Sequence, residues 1–169
     1  MNEDIIFRNV EKLDTEPLWN MMNALDYETK FMLFEPGERV KNLARLQGSI
    51  DNAVDGNDLC FIAMDNNEIV GYIVAQVGAV RRIKHSAYIV VGIREKYRNK
   101  GIGTEFFNKL NQWAEEKKIV RLELTVVCNN EIALNLYKKK GFEIEGIKRK
   151  SMYIDGKYVD EYYMAKLLT

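Results

Sequence analysis

Histidine is nearly missing from this chain, with one residue in 169, and cysteine occurs only twice. A single histidine argues against a zinc site, so no metal is expected. Two cysteines cannot build a disulfide framework or a metal cage. Cys60 and Cys128 both sit in apolar, strand-like stretches, which predicts reduced, buried thiols. Neither sign of charge prevails: Lys plus Arg and Asp plus Glu each total 25. No global field therefore draws the chain to nucleic acid or an anionic membrane, and the basic clusters at 81–84 and 138–140 read as solvated faces. No apolar run approaches the roughly 20 residues of a membrane span, and the acidic start Met1-Asn2-Glu3-Asp4 lacks the basic and apolar regions of a secretory signal. These absences predict a cytoplasmic protein with neither nucleic-acid nor membrane partners. No repeat, low-complexity tract or linker interrupts it. Its 169 residues suffice for one well-buried domain over 1–169 and are too few for two ordinary ones.

What is present is a glycine turn in a telling place. Arg98-Asn99-Lys100-Gly101-Ile102-Gly103 follows the β-branched stretch Tyr88 to Ile93 and opens a segment in which Ile102, Phe106, Leu110, Trp113 and Ala114 recur at helical spacing. A helix that starts at Gly101 leaves its first N–H groups without partners and carries partial positive charge there, which suits an anion such as a diphosphate. Gly101 and Gly103 have no Cβ to block the approach, and Arg98 and Lys100 add formal charge. A purely steric need for glycine in a tight strand-to-helix turn is the competing explanation. Two other phosphate motifs fail on inspection. No Lys-Ser or Lys-Thr follows the second glycine, and the third glycine of a dinucleotide fingerprint is replaced by Phe106.

The remaining pattern predicts a strand over 5–10 and a helix capped by Asp14 or Thr15, entered through Pro17 and carrying Leu18, Met21, Met22 and Leu25. A second helix is expected from near Glu38 to Ala53, with 26–37 as a loop over a pocket. Strands follow at 59–65 and 68–77, joined by an Asn66-Asn67 hairpin turn, and at 85–93. After the helix from Gly101 come a strand at 121–127, a helix at 130–140, and strands at 142–150 and 158–167 around an Asp155-Gly156 turn.

The second informative block is Leu122 to Val127, then Asn130, Ala133, Leu136, Tyr137, Gly141 and Phe142. Together with the glycine turn, it closely resembles the GNAT superfamily of N-acetyltransferases, and the stretches Gly141 to Gly146 and Asp155 to Met164 further resemble a bacterial subset that includes amino-acid N-acetyltransferases. The R-x-x-G-x-G and N-x-x-A-x-x-L-Y-x-x-x-G-F motifs stand in the family's order. The likeness covers roughly residues 60 to 168, while the first 55, which largely set acceptor choice in the family, match more loosely. It implies an α/β acyl-CoA N-acyltransferase fold: a mixed, mostly antiparallel twisted sheet with helices on both faces, split near 89–93 to admit acetyl-CoA. Residues 98–104, Arg98, Asn99, Lys100, Gly101, Ile102, Gly103 and Thr104, would then hold the pyrophosphate, Val91, Gly92 and Ile93 the pantetheine arm, and Asn130 and Tyr137 would lie near the cofactor. Gly92 suits a bulge or the approach of another backbone, though packing alone also asks for glycine in a strand.

By the same resemblance Tyr137 is the general acid for the departing thiolate; its phenol is protonated at neutral pH. It could equally pack its helix beside Leu134 and Leu136. The base is open, because no carboxylate lies between Lys84 and Arg94. Histidine is a side-chain type suited to that role, yet His85 stands at the far end of its strand. Glu123 alternates away from Leu122 and Leu124, toward either solvent or the site. Neutralising an α-amine of pKa about 8 at pH 7 costs about 1.4 kcal/mol, against about 4.6 kcal/mol for a lysine amine. The missing strand carboxylate therefore favours a small α-amine, such as a free amino acid, acetylated by direct transfer in a ternary complex. The alternatives are a protein N-terminus, a polyamine, an amine antibiotic, or an acyl-CoA sensor without turnover. Glu28, Glu35 and Arg39 are candidates to select the acceptor's ammonium and carboxylate, or are surface charges. The aromatic-rich stretch 153–164 suits either a homodimer contact or core.

Overall fold

The expected order of elements recurs in a computed structural model that describes residues 4–168; residues 1–3 of the acidic start, and Thr169, lie outside the described part. The elements are β1 (Ile6–Asn9), α1 (Thr15–Glu28), α2 (Leu43–Val54), β2 (Leu59–Asp65), β3 (Glu68–Val77), β4 (Ser86–Ile93), α3 (Ile102–Glu116), β5 (Arg121–Val127), α4 (Glu131–Lys139), β6 (Glu143–Ile154) and β7 (Lys157–Leu167). Hydrogen bonding orders the strands β1-β2-β3-β4-β5-β7-β6. The β1–β2, β2–β3, β5–β7 and β6–β7 pairs are antiparallel, and β4–β5 is parallel.

The chain divides into two compact units. One holds the stretch up to Gln76 with Val90–Trp113; the other holds Val77–Ile89 with the stretch from Ala114 onward. In the first unit, strand alternation explains how helices come to cover both faces of β1–β3. Cys60, Ile62 and Tyr72 share one face and form a core with Leu18, Met21 and Leu25 of α1 and Ile50 of α2. Phe7 and Phe61 share the other face, where Phe106 of α3 meets both rings edge-on at 6.0 and 6.1 Å. Phe106 is fully buried, a contribution of about 1.5–3 kcal/mol. The predicted stripe Ile102, Phe106, Leu110, Trp113 and Ala114 is buried throughout. Asn66 and Asn67 close the β2–β3 hairpin with φ of 48° and 65°, a left-handed pair that asparagine tolerates.

The second unit is built on β5, which pairs with β7 from Arg121↔Leu167 to Val127↔Glu161. The β6–β7 hairpin turns at Asp155 and Gly156, with φ of 51° and 77°. Tyr153 and Tyr158 face each other there, ring centroids 5.0 Å apart and both exposed.

Four expectations need correction. The second helix starts at Leu43 rather than near Glu38, because the Asn42 side chain caps it by accepting the Arg45 N–H at 3.0 Å. Asp26 and Glu28 belong to the last turn of α1 and not to the loop. Cys128 lies in a turn just past β5 and is half-buried, so only Cys60 is a core thiol; both are free. Strand β6 runs to Ile154, because its ladder with β7 resumes after an irregularity between Lys148 and Met152.

Candidate active site

The glycine turn is built as the sequence requires. After β4, Arg94 donates its N–H to Val70 O at 2.9 Å, a short 3₁₀ turn spans Glu95–Tyr97, and Arg98 is extended. Asn99 and Gly101 then take φ of 58° and 83°, and α3 begins. A β-carbon at Gly101 would find nothing within 4 Å. The space in front of the turn is thus open, at the end of a helix where N–H groups lack intrahelical acceptors. Lys100 is exposed and sits 5.4 Å over the Tyr97 ring; Arg98 holds Ile93 O through Nε at 3.3 Å. An anion such as a diphosphate would find room in front of this turn, beside the exposed Lys100.

Before the turn, the β4–β5 ladder consists of Ser86↔Arg121, Ala87↔Leu122 and Tyr88↔Glu123. Val90–Ile93 carry β4 beyond those pairs. Gly92 is glycine for packing: a β-carbon there would come within 2.6 Å of Tyr72 Cε1 and 2.7 Å of Leu25 Cδ2.

Two predicted acceptor-selecting residues in this unit are engaged by the protein itself. Glu28 takes Arg94 Nε at 2.8 Å on one oxygen and the Glu95 N–H at 2.9 Å on the other. Arg39 forks onto Asp26 at 2.6 and 3.0 Å and lies 4.6 Å over the Phe34 ring. The Asp26 side chain is fully buried. Glu35 is exposed, and its N–H donates to Glu38. Sequence reasoning missed Asp26 and Arg94. The signal for Asp26 was an acid four residues after Met22 on the apolar stripe of α1, a position that needs a charged partner.

The second unit holds the other predicted residues. Asn130 caps α4, accepting the Ala133 N–H at 3.4 Å. Tyr137 is half-buried, with its ring 6.1 Å from that of Phe142. Burial, helped by the neighbouring Tyr88, pushes its phenol up to about 12, so it is a proton donor across the physiological range. Tyr88, also missed, hydrogen-bonds Thr125 Oγ1 at 2.9 Å on the strand face shared with Glu123. Glu123 is held by Arg121 Nε at 2.7 Å, and the same guanidinium grips Glu145 at 2.7 and 2.8 Å, which keeps the Glu145 carboxyl below its ordinary range. His85 is exposed just before β4, and its carbonyl accepts the Val120 and Arg121 N–H groups. The thiol of Cys60 is pushed up to about 12 by burial, which makes it inert at neutral pH.

The profile of the acetyltransferase (GNAT) family matches residues 19–142. The L-amino acid N-acetyltransferase AaaT of Escherichia coli is 32% identical over 107 residues, which cover 63% of this chain and 66% of that protein. N-alpha-acetyltransferase 30 of Xenopus laevis is 35% identical over 50% of this chain and 31% of its own length. The chain thus spans less than two thirds of either relative. A GNAT-family acetyltransferase from Streptococcus pneumoniae superposes with a TM-score of 0.92 at 28% identity, over 98% of this chain and 100% of that one. Among the described residues, no helix is long and apolar enough to cross a membrane.

Proposed function

Because this chain belongs to the GNAT acetyltransferase family, whose acyl donor is acetyl-CoA, we propose that it acetylates the α-amine of a free amino acid or a similarly small amine. The open left-handed turn at Gly101, set at the start of α3, carries the proposal. In this reading the amides of residues 101–104 and the charges of Arg98 and Lys100 bind the diphosphate of the donor. The backbone of Val91–Ile93, which runs past the last β4–β5 pair, receives its pantetheine amides. The donor supplies a thioester whose C–S bond breaks as the C–N bond to the amine forms.

Tyr137 gives its phenolic proton to the departing sulfur. Its raised pKa keeps that proton in place until charge develops there. The proton lost by the amine goes to water, since β4 offers no carboxylate and Glu123 is tied to Arg121. An α-amine permits this route, because its neutral form costs about 1.4 kcal/mol at pH 7, whereas a lysine side chain costs about 4.6 kcal/mol. The likeness to AaaT supports an amino-acid acceptor. The likeness to N-alpha-acetyltransferase 30 supports the second reading, a protein N-terminus, which presents the same functional group.

Release of free thiol from acetyl-CoA, followed over a panel of amino acids, short peptides, polyamines and amine antibiotics, tests the assignment. Turnover with amino acids is the expected result. Turnover with peptides alone favours the second reading. Cofactor binding without turnover on any amine would make the chain a sensor and overturn the proposal.

A further inference from the structure

The segment entering the glycine turn is fastened at a point that the proposed chemistry does not use. Tyr97 ends the 3₁₀ turn, and its hydroxyl donates to Asp65 Oδ2 at 2.6 Å. Asp65 is the last residue of β2, at the base of the Asn66-Asn67 hairpin. A two-residue left-handed turn fixes strand register, so this carboxylate is a stationary acceptor, and hydrogen bonds to carboxylates are stronger than neutral ones. The Tyr97 ring also lies under two ammonium groups, Lys100 at 5.4 Å and Lys96 at 6.0 Å. One side chain therefore joins the sheet through its oxygen and the turn through its ring. The turn needs such a fixture, since Asn99 and Gly101 stand in left-handed conformations outside any helix or strand.

We propose that the Asp65–Tyr97 hydrogen bond is a positioning element for the diphosphate turn. It holds the amides of residues 101–104 in their ligand-ready arrangement in the free protein, so that binding does not have to order them. The inference rests on the reading of that turn as the coenzyme A site.

Tyr97→Phe deletes the hydroxyl while keeping the ring and both cation contacts. Calorimetry with coenzyme A should show affinity roughly five- to twentyfold weaker. In the ligand-free protein, amide exchange should quicken in the peptide spanning 98–104 and stay unchanged elsewhere. Asp65→Asn keeps an acceptor oxygen and should bind within about threefold of the parent, while Asp65→Ala should match Tyr97→Phe. The double variant should be no weaker than either single one. Unchanged affinity and exchange in Tyr97→Phe would overturn the proposal, as would weakened binding with faster exchange throughout the first unit. If the parent itself gave no heat with coenzyme A, the cofactor reading would fail, and exchange in the free protein would still report on positioning.

Discussion

Replacing Gly101 with alanine separates a glycine kept for its turn from a glycine kept for a ligand. At φ 83° an L-residue is strained, at a cost of about 1–2 kcal/mol. The new methyl meets no protein atom within 4 Å, so strain is the whole penalty in the free protein. For a chain of this size, that corresponds to a melting point lower by about 2–8 °C. In the proposed coenzyme A complex the same methyl intrudes on space that the diphosphate needs. Losing one or two charge-assisted hydrogen bonds of about 1.5–3 kcal/mol each weakens binding by at least about tenfold. Gly141 supplies the control. It stands at φ 91°, where a β-carbon would meet only the flexible end of Lys166 at 3.3 Å. Gly141→Ala should lower the melting point by a similar amount and leave coenzyme A affinity alone. Differential scanning calorimetry and titration calorimetry on the three proteins read both quantities. If Gly101→Ala melts lower yet binds coenzyme A as the parent does, the turn is steric only, and the diphosphate assignment falls with it.

Four further outcomes follow from residues already described. Tyr137→Phe should lower kcat by about a hundredfold or more at unchanged coenzyme A affinity; equal turnover would remove Tyr137 from the chemistry. Because the folded phenol titrates near 12 and an unfolded one near 10, Tyr137 contributes stability that is whole below pH 10 and is lost as the pH rises toward 12. The parent should thus lose more stability than Tyr137→Phe over that window in urea titrations, and parallel curves would contradict the cause assigned to the shift. Asp26→Ala should cost about 3–5 kcal/mol in urea unfolding, because it strands the Arg39 guanidinium; a loss under 1 kcal/mol would mean that Arg39 simply swings into water. Gly92→Ala should cost about 1–3 kcal/mol through overpacking against Tyr72 and Leu25, checked by the same unfolding curves, and a neutral result would show that α1 yields easily.

Local chemistry was legible from residues alone. The strands Leu59–Asp65, Glu68–Val77 and Arg121–Val127 keep the bounds that their apolar, β-branched runs mark, the Asn66-Asn67 turn is left-handed, and Asn130 caps α4. The start of α2 was not legible, because residues 39–41, just ahead of the Asn42 cap, are held by distant partners. Arg39 is drawn to Asp26, Trp19 donates to Val40 O at 3.3 Å, and Lys41 pairs with Glu16 at 2.8 Å. The site divides in the same way. The glycine turn is a contiguous motif and could be read directly. The contacts that occupy Glu28 and Arg39 could not, since a carboxylate facing solvent and one facing an arginine 66 positions away look alike in sequence. Tyr88 escaped notice for a related reason: an aromatic on the outer face of a strand gives no hint that another tyrosine stands beside it.

The crowding at Gly92 bears on how this protein can be re-engineered for other amines. Tyr72 and Leu25 leave no room for even one added carbon at that position, so enlarging it forces the Tyr72 ring and the Leu25 side chain to move. Phe31 and Leu33, at 40% and 75% exposure in the connection between α1 and α2, carry no such burden. Mutant libraries confined to those two positions would diversify the surface of that loop while the scaffold beneath it stays intact.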